Sequence, residues 1–205
     1  MIKVLLSSKM GYNSAIMWGH RKLPEKADTF HGQHFLIDEK VAQDLIDQIP
    51  PGSTIIEIGA GRGQLTEKLA ANAKRVVAIE TDKKLLPDLR KAVKNKRVRV
   101  VNANALEVDF DHEGKRTVVT GAIPYHITEP LMHKLANSEN VSEAVFIVGG
   151  RFADSIVNPQ STRRGPLAEA VSKVFNVRAL RWIKKESFEP KPRTVSALIV
   201  MERKK

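Results

Sequence analysis

Three glycines alternate with other residues in the segment EIGAGRG, residues 57–63, between an apolar run and a helical pattern. Glycine permits a tight turn and lets backbone amides approach a ligand closely. The spacing is GxGxG, whereas dinucleotide-binding folds use GxGxxG to direct a helix amino terminus at a pyrophosphate. An acidic residue, Glu57, comes before the loop. The pattern therefore favours a ligand without phosphate, such as S-adenosylmethionine, beside Gly59, Gly61 and Gly63.

Polar side chains follow the next two predicted strands. Glu80 ends the strand RVVAIE, residues 75–80, and is placed to accept hydrogen bonds from both hydroxyls of a ribose. In NANAL, residues 102–106, the side-chain amide of Asn104 is placed to read the edge of an adenine. The alternative is that Glu80 caps a helix at the surface and the glycines only turn the chain. The order of loop, acid and amide favours a nucleoside site.

A Pro-Tyr turn follows a fourth predicted strand, in GAIPYHIT, residues 121–128. An aromatic ring at the carboxyl end of a strand suits stacking on an extruded or unpaired base, although Tyr125 could also be an ordinary half-buried aromatic. Methylation of an adenine amine needs two hydrogen-bond acceptors that turn its lone pair toward the methyl donor. Position 122, where a polar side chain would serve, is Ala122. Losing one preorganised partner costs about 3 kcal/mol, or about a hundredfold in rate.

The elements that would position these groups alternate between two periodicities. Apolar residues at helical spacing predict helices over residues 41–49, 65–70, 83–94, 128–137 and 166–175. Short apolar runs predict strands over residues 53–59, 75–80, 97–101, 116–121, 143–149, 177–183 and 195–201. No long helix separates the last two strands, so they should pair antiparallel. The pattern predicts a doubly wound α/β fold whose sheet has about seven mostly parallel strands and an antiparallel carboxy-terminal hairpin.

The basic residues of the chain are unevenly distributed. Residues 38–149 carry 16 basic and 16 acidic side chains, whereas residues 150–205 carry 13 basic and 5 acidic ones, and the whole chain has a net charge of +11. A basic end on a neutral body favours a phosphate-backbone partner, and a solvated lysine-rich surface is the alternative. Residues 1–28 lack a clear period and are predicted to form an arm before a single domain over residues 29–205.

Several kinds of site and location are disfavoured by composition. The chain has no cysteine, and its six histidines show no HxxxH spacing, so no metal site is expected. The apolar run near Lys3 is too short for a signal sequence, and no apolar stretch is long enough to span a membrane. These features predict a cytoplasmic protein without a membrane partner, and we expect a monomer.

Six segments occur in the order and spacing of the ribosomal RNA adenine N6-dimethyltransferases. They are GQHFLID (32–38), EIGAGRGQLT (57–66), AIETD (78–82), NANALEVDF (102–110), GAIPYHITEP (121–130) and SFEPKPRTVSALI (187–199). The chain resembles this family, which includes small-subunit dimethylases and macrolide-resistance methyltransferases, over residues 30–203. The resemblance implies a Rossmann-like class I methyltransferase fold, S-adenosylmethionine as cofactor, and methylation of the N6 amine of adenine in RNA, most readily ribosomal RNA.

The resemblance also implies roles for individual residues. Its catalytic motif falls on Ala122, Pro124 and Tyr125. Its cofactor-binding positions fall on Gln33, His34, Leu36, Gly59, Gly61, Gly63, Glu80, Thr81, Asn104, Ala105 and Ala122. The basic residues expected to hold RNA phosphates are Arg163, Arg164, Arg178, Arg181, Lys184, Lys185, Lys191 and Arg193.

The sequence departs from the family pattern at four places. His34 replaces an Asn and Asn104 replaces an Asp, and both retain a hydrogen-bonding group. Ala122 replaces the motif Asn, and Gly149-Gly150-Arg151 replaces Gln-Lys-Glu, so polar groups are lost near the expected substrate. The usual helical carboxy-terminal domain is expected to be missing, since residue 205 follows the last predicted strand. Two alternatives therefore stay open: a non-catalytic RNA-binding assembly factor that retains the cofactor pocket, and a methyltransferase with a different acceptor.

Overall fold

The computed structural model describes Ile2–Val4 and residues 34–205. The predicted arm at residues 1–28 lies outside the described residues apart from Ile2–Val4, and so does Gln33. The boundary of the arm therefore stays a prediction. No helix within the described residues is long and apolar enough to cross a bilayer.

The described residues form ten strands and six α-helices. The strands are β1 (Ile2–Val4), β2 (His34–Leu36), β3 (Thr54–Ile58), β4 (Arg75–Glu80), β5 (Val98–Asn102), β6 (Thr117–Ala122), β7 (Val141–Gly149), β8 (Phe175–Ile183), β9 (Phe188–Glu189) and β10 (Ser196–Arg203). The helices are α1 (Glu39–Ile46), α2 (Gln64–Asn72), α3 (Leu86–Ala92), α4 (Thr128–Asn137), α5 (Gly150–Val157) and α6 (Pro166–Val174). Short 3-10 turns include Lys83–Leu85 and Tyr125–Ile127.

Seven strands form one sheet in the order β5-β4-β3-β6-β7-β10-β8. The first five run parallel, and β10 lies antiparallel between β7 and β8. The chain winds outward from β3 to β5 and then returns to start β6 on the other side of β3. Strand order therefore reverses between β3 and β6, which is where an open α/β sheet leaves a crevice at its carboxyl edge. The predicted fold class, strand number and antiparallel hairpin are confirmed.

Helices cover both faces of this sheet. One apolar layer joins the sheet to α4, α5 and α6 through side chains such as Leu131, Ile156 and Val171. The opposite layer joins it to α1 and α2 through side chains such as Leu45 and Leu69. The central parallel strands are buried on both faces, which explains why their sequences read as continuous apolar runs.

Three local features differ from the sequence prediction. Helix α5 was not predicted, because it begins at two glycines that read as a loop. The predicted helix over residues 83–94 is a 3-10 turn followed by α3, which has Pro87 in its first turn. A second, three-stranded sheet joins β1, β2 and β9. Its strands have two or three residues each, too few to show a periodic pattern.

Gly121 brings β6 unusually close to β3. A Cβ atom at this position, where φ is +149°, would lie 2.3 Å from the carbonyl oxygen of Ile58. Any other residue would push the two strands apart at the reversal point of the sheet. A glycine inside a strand pattern is a known sign of close backbone approach.

Candidate functional site

A cavity of about 530 Å³ lies at the carboxyl ends of β3, β4 and β5. It brings together five of the predicted site residues: Gly59, Thr81, Asn104, Ala105 and Pro124. Ile58 and Ile79 supply apolar wall, and the exposed Lys83 and Lys84 lie at its rim. The cavity therefore has an apolar interior with polar groups at strand ends, as small-molecule sites commonly do.

Glu80 anchors the glycine loop. Its buried carboxylate accepts hydrogen bonds from the amide of Gly61 at 2.7 Å and from the amide of Asp82 at 2.8 Å. The amides of Gly59 and Ala60 both donate to the carbonyl of Ile79. The loop is thus fixed to the end of β4, and Glu80 lies beneath it rather than in the lining of the cavity. A role for Glu80 in binding ribose stays a prediction.

Glu57 places a second carboxyl group below the same loop. Burial raises its pKa to about 8, with the nearby Thr66 hydroxyl opposing the shift and the charge of Glu80 adding to it. Its Oε2 atom has no hydrogen-bond partner among the described residues. Glu57 is therefore uncharged near neutral pH, and the charge under the loop comes from Glu80, which disfavours a phosphate and suits a neutral or cationic ligand.

Three of the predicted cofactor-binding residues are packing residues in the structure. A Cβ at Gly63, where φ is +88°, would meet the Leu89 side chain at 2.9 Å and Ala92 at 3.0 Å, so this glycine lets α2 begin against α3. Leu36 and Ala122 are buried in the apolar layer beside α1 and α2 and line neither cavity. A glycine, a leucine and an alanine give no sequence signal that separates ligand contact from packing.

Asn104 lies at the exposed rim of the first cavity. Its Oδ1 accepts a hydrogen bond from the amide of Leu106, and its Nδ2 donates to Glu107, both at 3.1 Å. These contacts fix the orientation of the amide at the end of β5. A role for Asn104 in reading adenine stays a prediction.

A second cavity, of about 830 Å³, lies on the other side of the Pro-Tyr turn. Five of the predicted site residues line it: His34, Tyr125, Arg163, Lys191 and Arg193. Arg151, Glu129 and Gly149 also line it. Four cationic side chains line this cavity with one carboxylate, and Arg163 and Lys191 also pair with Asp154 and Glu186, both at 3.6 Å. Arg151 and Arg193 therefore contribute most of its positive field, which suits an anionic ligand.

The Pro-Tyr turn separates the two cavities. Pro124, His126 and Ile127 line the first cavity, whereas Tyr125 lines the second. Consecutive residues of one turn therefore face two adjoining cavities. A donor and an acceptor held on its two sides would be neighbours across this turn.

The ring of Tyr125 is held on several sides. Its hydroxyl lies 2.9 Å from the hydroxyl of the buried Ser196. A Cβ at Gly149 would lie only 3.2–3.4 Å from three of its ring carbons, so the ring packs closely on the Gly149 backbone. The ring centroid of His34 lies 6.0 Å from that of Tyr125, and the Nδ1 of His34 donates to the Pro190 carbonyl. Tyr125 is therefore fixed in orientation although it remains partly exposed.

The predicted RNA-binding residues fall into separate groups. Arg163, Lys191 and Arg193 line the second cavity. Arg181 instead pairs with Asp44 on α1, and Arg178 donates to Gln48, just after α1, at 3.1 Å. The remaining three line neither cavity: Arg164, whose guanidinium donates to Ser172, and Lys184 and Lys185, which follow β8. The structure thus concentrates only part of the predicted set at the site.

The comparison with known families decides what kind of protein carries this geometry. Residues 25–205 match the family model described as ribosomal RNA adenine dimethylase. The chain belongs to this family. Ribosomal RNA small subunit methyltransferase A of Mesomycoplasma hyopneumoniae is 37% identical over 171 residues, which cover 82% of this chain and 66% of the relative. The chain thus spans about two thirds of the length of the relatives it matches.

Solved structures of similar proteins share the dimethylase fold. The 23S rRNA methyltransferase ErmE has a TM-score of 0.76 and 25% identity, covering 83% of this chain and 70% of its own. A dimethyladenosine transferase from Plasmodium falciparum has a TM-score of 0.75 and 26% identity, covering 82% of this chain and 63% of its own.

Several residues of this dimethylase-family site were missed in the sequence. Ser196 lies in the quoted segment SFEPKPRTVSALI but was given no role, because its contact with Tyr125 appears only in the fold. Arg151 was noted only as a departure, although it lines the second cavity. Groups of acidic or histidine side chains able to hold a metal ion are not found in the part of the chain that the structure describes.

Proposed function

We propose that this chain is an S-adenosylmethionine-dependent methyltransferase that acts on the N6 amine of adenine in RNA, in particular ribosomal RNA. The observation that carries the proposal is the turn after β6, which presents Pro124 to one cavity and Tyr125 to the other. Family membership and relatives named for ribosomal RNA methylation support the same activity. We further propose that the protein works as a cytoplasmic monomer.

The first cavity fits the cofactor in shape and charge. Gly59, Thr81 and Asn104 line it, and the carboxyl groups of Glu57 and Glu80 lie under its glycine loop. The charged carboxylate of Glu80 disfavours a pyrophosphate, and the protonated Glu57 adds no further charge, so a cationic nucleoside is tolerated. S-Adenosylmethionine supplies an electrophilic methyl group when bound.

Tyr125 would hold the target adenine in the second cavity. Its fixed ring offers a stacking surface for a base that is extruded or already unpaired. The carbonyl of Pro124 already accepts hydrogen bonds from the Ile127 amide and the Thr128 hydroxyl, both at 3.1 Å. The carbonyls of residues 122 and 123 are therefore the better candidates to accept from the amine, and positioning supplies most of the rate.

The basic wall of the second cavity would hold the RNA backbone. Arg163, Lys191 and Arg193 surround the opening beside Tyr125, and Arg151 adds a fourth cation. Such contacts give affinity that falls steeply with salt and carry little sequence information. Which nucleotide is methylated would then depend on which unpaired adenine reaches the ring.

The direct test is transfer of labelled methyl groups to unmodified ribosomal RNA. We expect the label in N6-methylated adenine, almost complete loss of transfer in Tyr125→Ala, and substantial retention in Tyr125→Phe, which keeps the stacking ring. No transfer to any RNA by a protein that binds the cofactor would refute the proposal. Label in protein or in small molecules would instead identify a different acceptor.

Ala122 favours a second candidate function, an RNA-binding assembly factor without turnover. Its buried methyl group provides no hydrogen-bond acceptor where the family motif has Asn. Ala122→Asn separates the two functions: for a weakened enzyme we expect methyl transfer to rise by about tenfold to a hundredfold, at some loss of stability. Ala122→Leu is the control, because it adds similar volume to the same position without an acceptor. Zero turnover in both variants would favour the assembly factor.

A further inference from the structure

Trp182 is a large aromatic side chain exposed beside the second cavity. Trp182 is 53% exposed and Val195 is 44% exposed. Both side chains lie close to Gly150. Strand β8 is an edge strand of the sheet, and Trp182 pairs with Ala197 near the end where β10 begins. Tryptophan is highly buried on average, so Trp182 together with Val195 presents an apolar surface that a ligand could cover.

Adjacent glycines seat Trp182 and Tyr125. A Cβ at Gly149 would lie 3.2 Å from the Tyr125 ring, and a Cβ at Gly150 would lie 3.2 Å from Cζ3 of Trp182. The same Cβ at Gly150 would also lie 2.9 Å from the carbonyl oxygen of Val195, which already accepts from the Gly150 amide at 2.8 Å. Gly149 and Gly150, which replace the Gln and Lys of the family pattern, therefore leave room for the two rings. The rings pack on consecutive residues whose Cα atoms are about 3.8 Å apart.

Cationic side chains lie next to this aromatic pair. Arg151 follows Gly150 directly and lines the second cavity, and Arg193 lines it two residues before Val195. Both guanidinium groups are exposed, and neither has a hydrogen bond or ion pair with any residue from 34 to 205. Unpaired arginines beside an open aromatic ring form the usual surface for single-stranded nucleic acid.

We propose that Trp182 is a second stacking platform, which binds an unpaired nucleotide next to the adenine held at Tyr125. Arg151 and Arg193 would hold the phosphates that connect the two nucleotides. The proposal rests on the proposed function in one respect, that the acceptor is RNA. Its substrate class is RNA with at least two adjoining unpaired bases, such as a loop, rather than a regular duplex.

Two features of the edge strand β8 argue against its pairing with a second copy of the chain. Its register is broken by a bulge between Leu198 and Ile199, which places Leu180 outside the regular pairing. Arg178 and Arg181 add positive charge to the same strand. Bulges and charges on an edge strand discourage edge-to-edge association.

The test uses the fluorescence of Trp182 in the full chain. Trp18 and Trp182 are the two tryptophans, so a Trp18→Phe background reports on Trp182 alone. An unstructured RNA of about 12 nucleotides is titrated without cofactor. We expect quenching on binding in the Trp18→Phe background. The affinities of the Trp182 variants are measured by the anisotropy of a labelled RNA, and we expect about tenfold weaker affinity in Trp182→Ala and a loss within about threefold in Trp182→Phe, since stacking needs only an aromatic face. Leu180→Ala, on the same exposed strand, is the matched control and should bind RNA normally.

Two results would overturn the proposal. One is unchanged affinity in Trp182→Ala, with circular dichroism showing a folded protein. The other is a wild-type dimer in sedimentation velocity that dissociates in Trp182→Ala while the affinity for RNA stays constant. That result would assign the surface to a second copy of the chain. Because binding is measured without turnover, absence of methyl transfer would refute the proposed function alone. Normal methylation with no effect at Trp182 would refute the stacking platform alone.

Discussion

The hydroxyl of Tyr125 lies 2.9 Å from the hydroxyl of Ser196, which is 71 residues later in the chain. Ser196 begins β10 and pairs in register with Gly149, whose backbone packs on the same aromatic ring. The antiparallel strand therefore fixes the residue proposed to stack on the substrate. This link makes β10 part of the site rather than only the completion of the sheet.

We predict that Ser196 positions Tyr125 for methyl transfer. Ser196→Ala and Tyr125→Phe should each lower kcat by about fivefold, the worth of one partly buried hydrogen bond, with little change in KM for the cofactor. The double variant should lose no more than either single variant, because both remove the same contact. Steady-state kinetics of the four proteins measures this, and Ser196→Thr, which retains a hydroxyl, should recover part of the rate. Multiplicative losses in the double variant would argue against a shared contact.

Glu57 should make stability depend on pH. Its pKa is raised from 4.5 to about 8 by burial, so the unfolded chain ionises first as the pH increases. The native state holds its proton up to about pH 8. The free energy of unfolding therefore falls as the pH rises from 4.5 to about 8, and it levels off at higher pH. Glu57→Gln cannot ionise at this position. The free energy of unfolding of this variant, relative to that of the wild type, should therefore rise by roughly 3 kcal/mol between about pH 5 and pH 8.

Urea unfolding at the two pH values checks this prediction about Glu57. Glu67→Gln is the control, because Glu67 is an exposed carboxylate in the neighbouring helix α2. A difference between wild type and Glu57→Gln that stays constant with pH would show that Glu57 titrates normally.

Substitution of Gly121 should disrupt the sheet at its reversal point. In Gly121→Ala the new methyl group would lie 2.3 Å from the Ile58 carbonyl, so β3 and β6 must separate. Gly114→Ala is a matched control, since it also has a positive φ, of +95°, but nothing lies within 4 Å of its Cβ. We expect Gly121→Ala to lose at least about 3 kcal/mol more than the control. Thermal unfolding followed by circular dichroism measures the difference, and equal losses would contradict the close strand approach.

The basic residues should differ in their contribution to RNA binding. Arg193 lines the second cavity, whereas Arg178 donates to Gln48 in the turn after α1. Arg193→Gln should weaken RNA binding and reduce the slope of log K against log salt by about 1. Arg178→Gln removes the same charge from the chain but should leave that slope unchanged. Fluorescence anisotropy at several salt concentrations tests this, and equal effects would mean that net charge alone drives binding.

The order of local elements could be predicted from the sequence alone. The apolar runs of β3, β4 and β6 and the helical period of α4 depend on neighbours within a few residues, and their predicted bounds agree with the structure to within one residue. The family was also predictable, because its motifs are contiguous segments. Helix α5 was missed because its opening glycines read as a loop, and their packing against Val195 appears only in the fold.

The sequence by itself determined the fold class, the family and the residue types at the strand ends. Tertiary structure decided which of those residues share a cavity: it placed Pro124 and Tyr125 on two sides of one turn, and it buried Leu36 and Ala122 in the core. The physical reason is that local pattern reports on burial and turn formation within a segment. Contact between Tyr125 and Ser196, or between Gly150 and Trp182, depends on how distant strands pair, and that register is set by packing of the whole sheet.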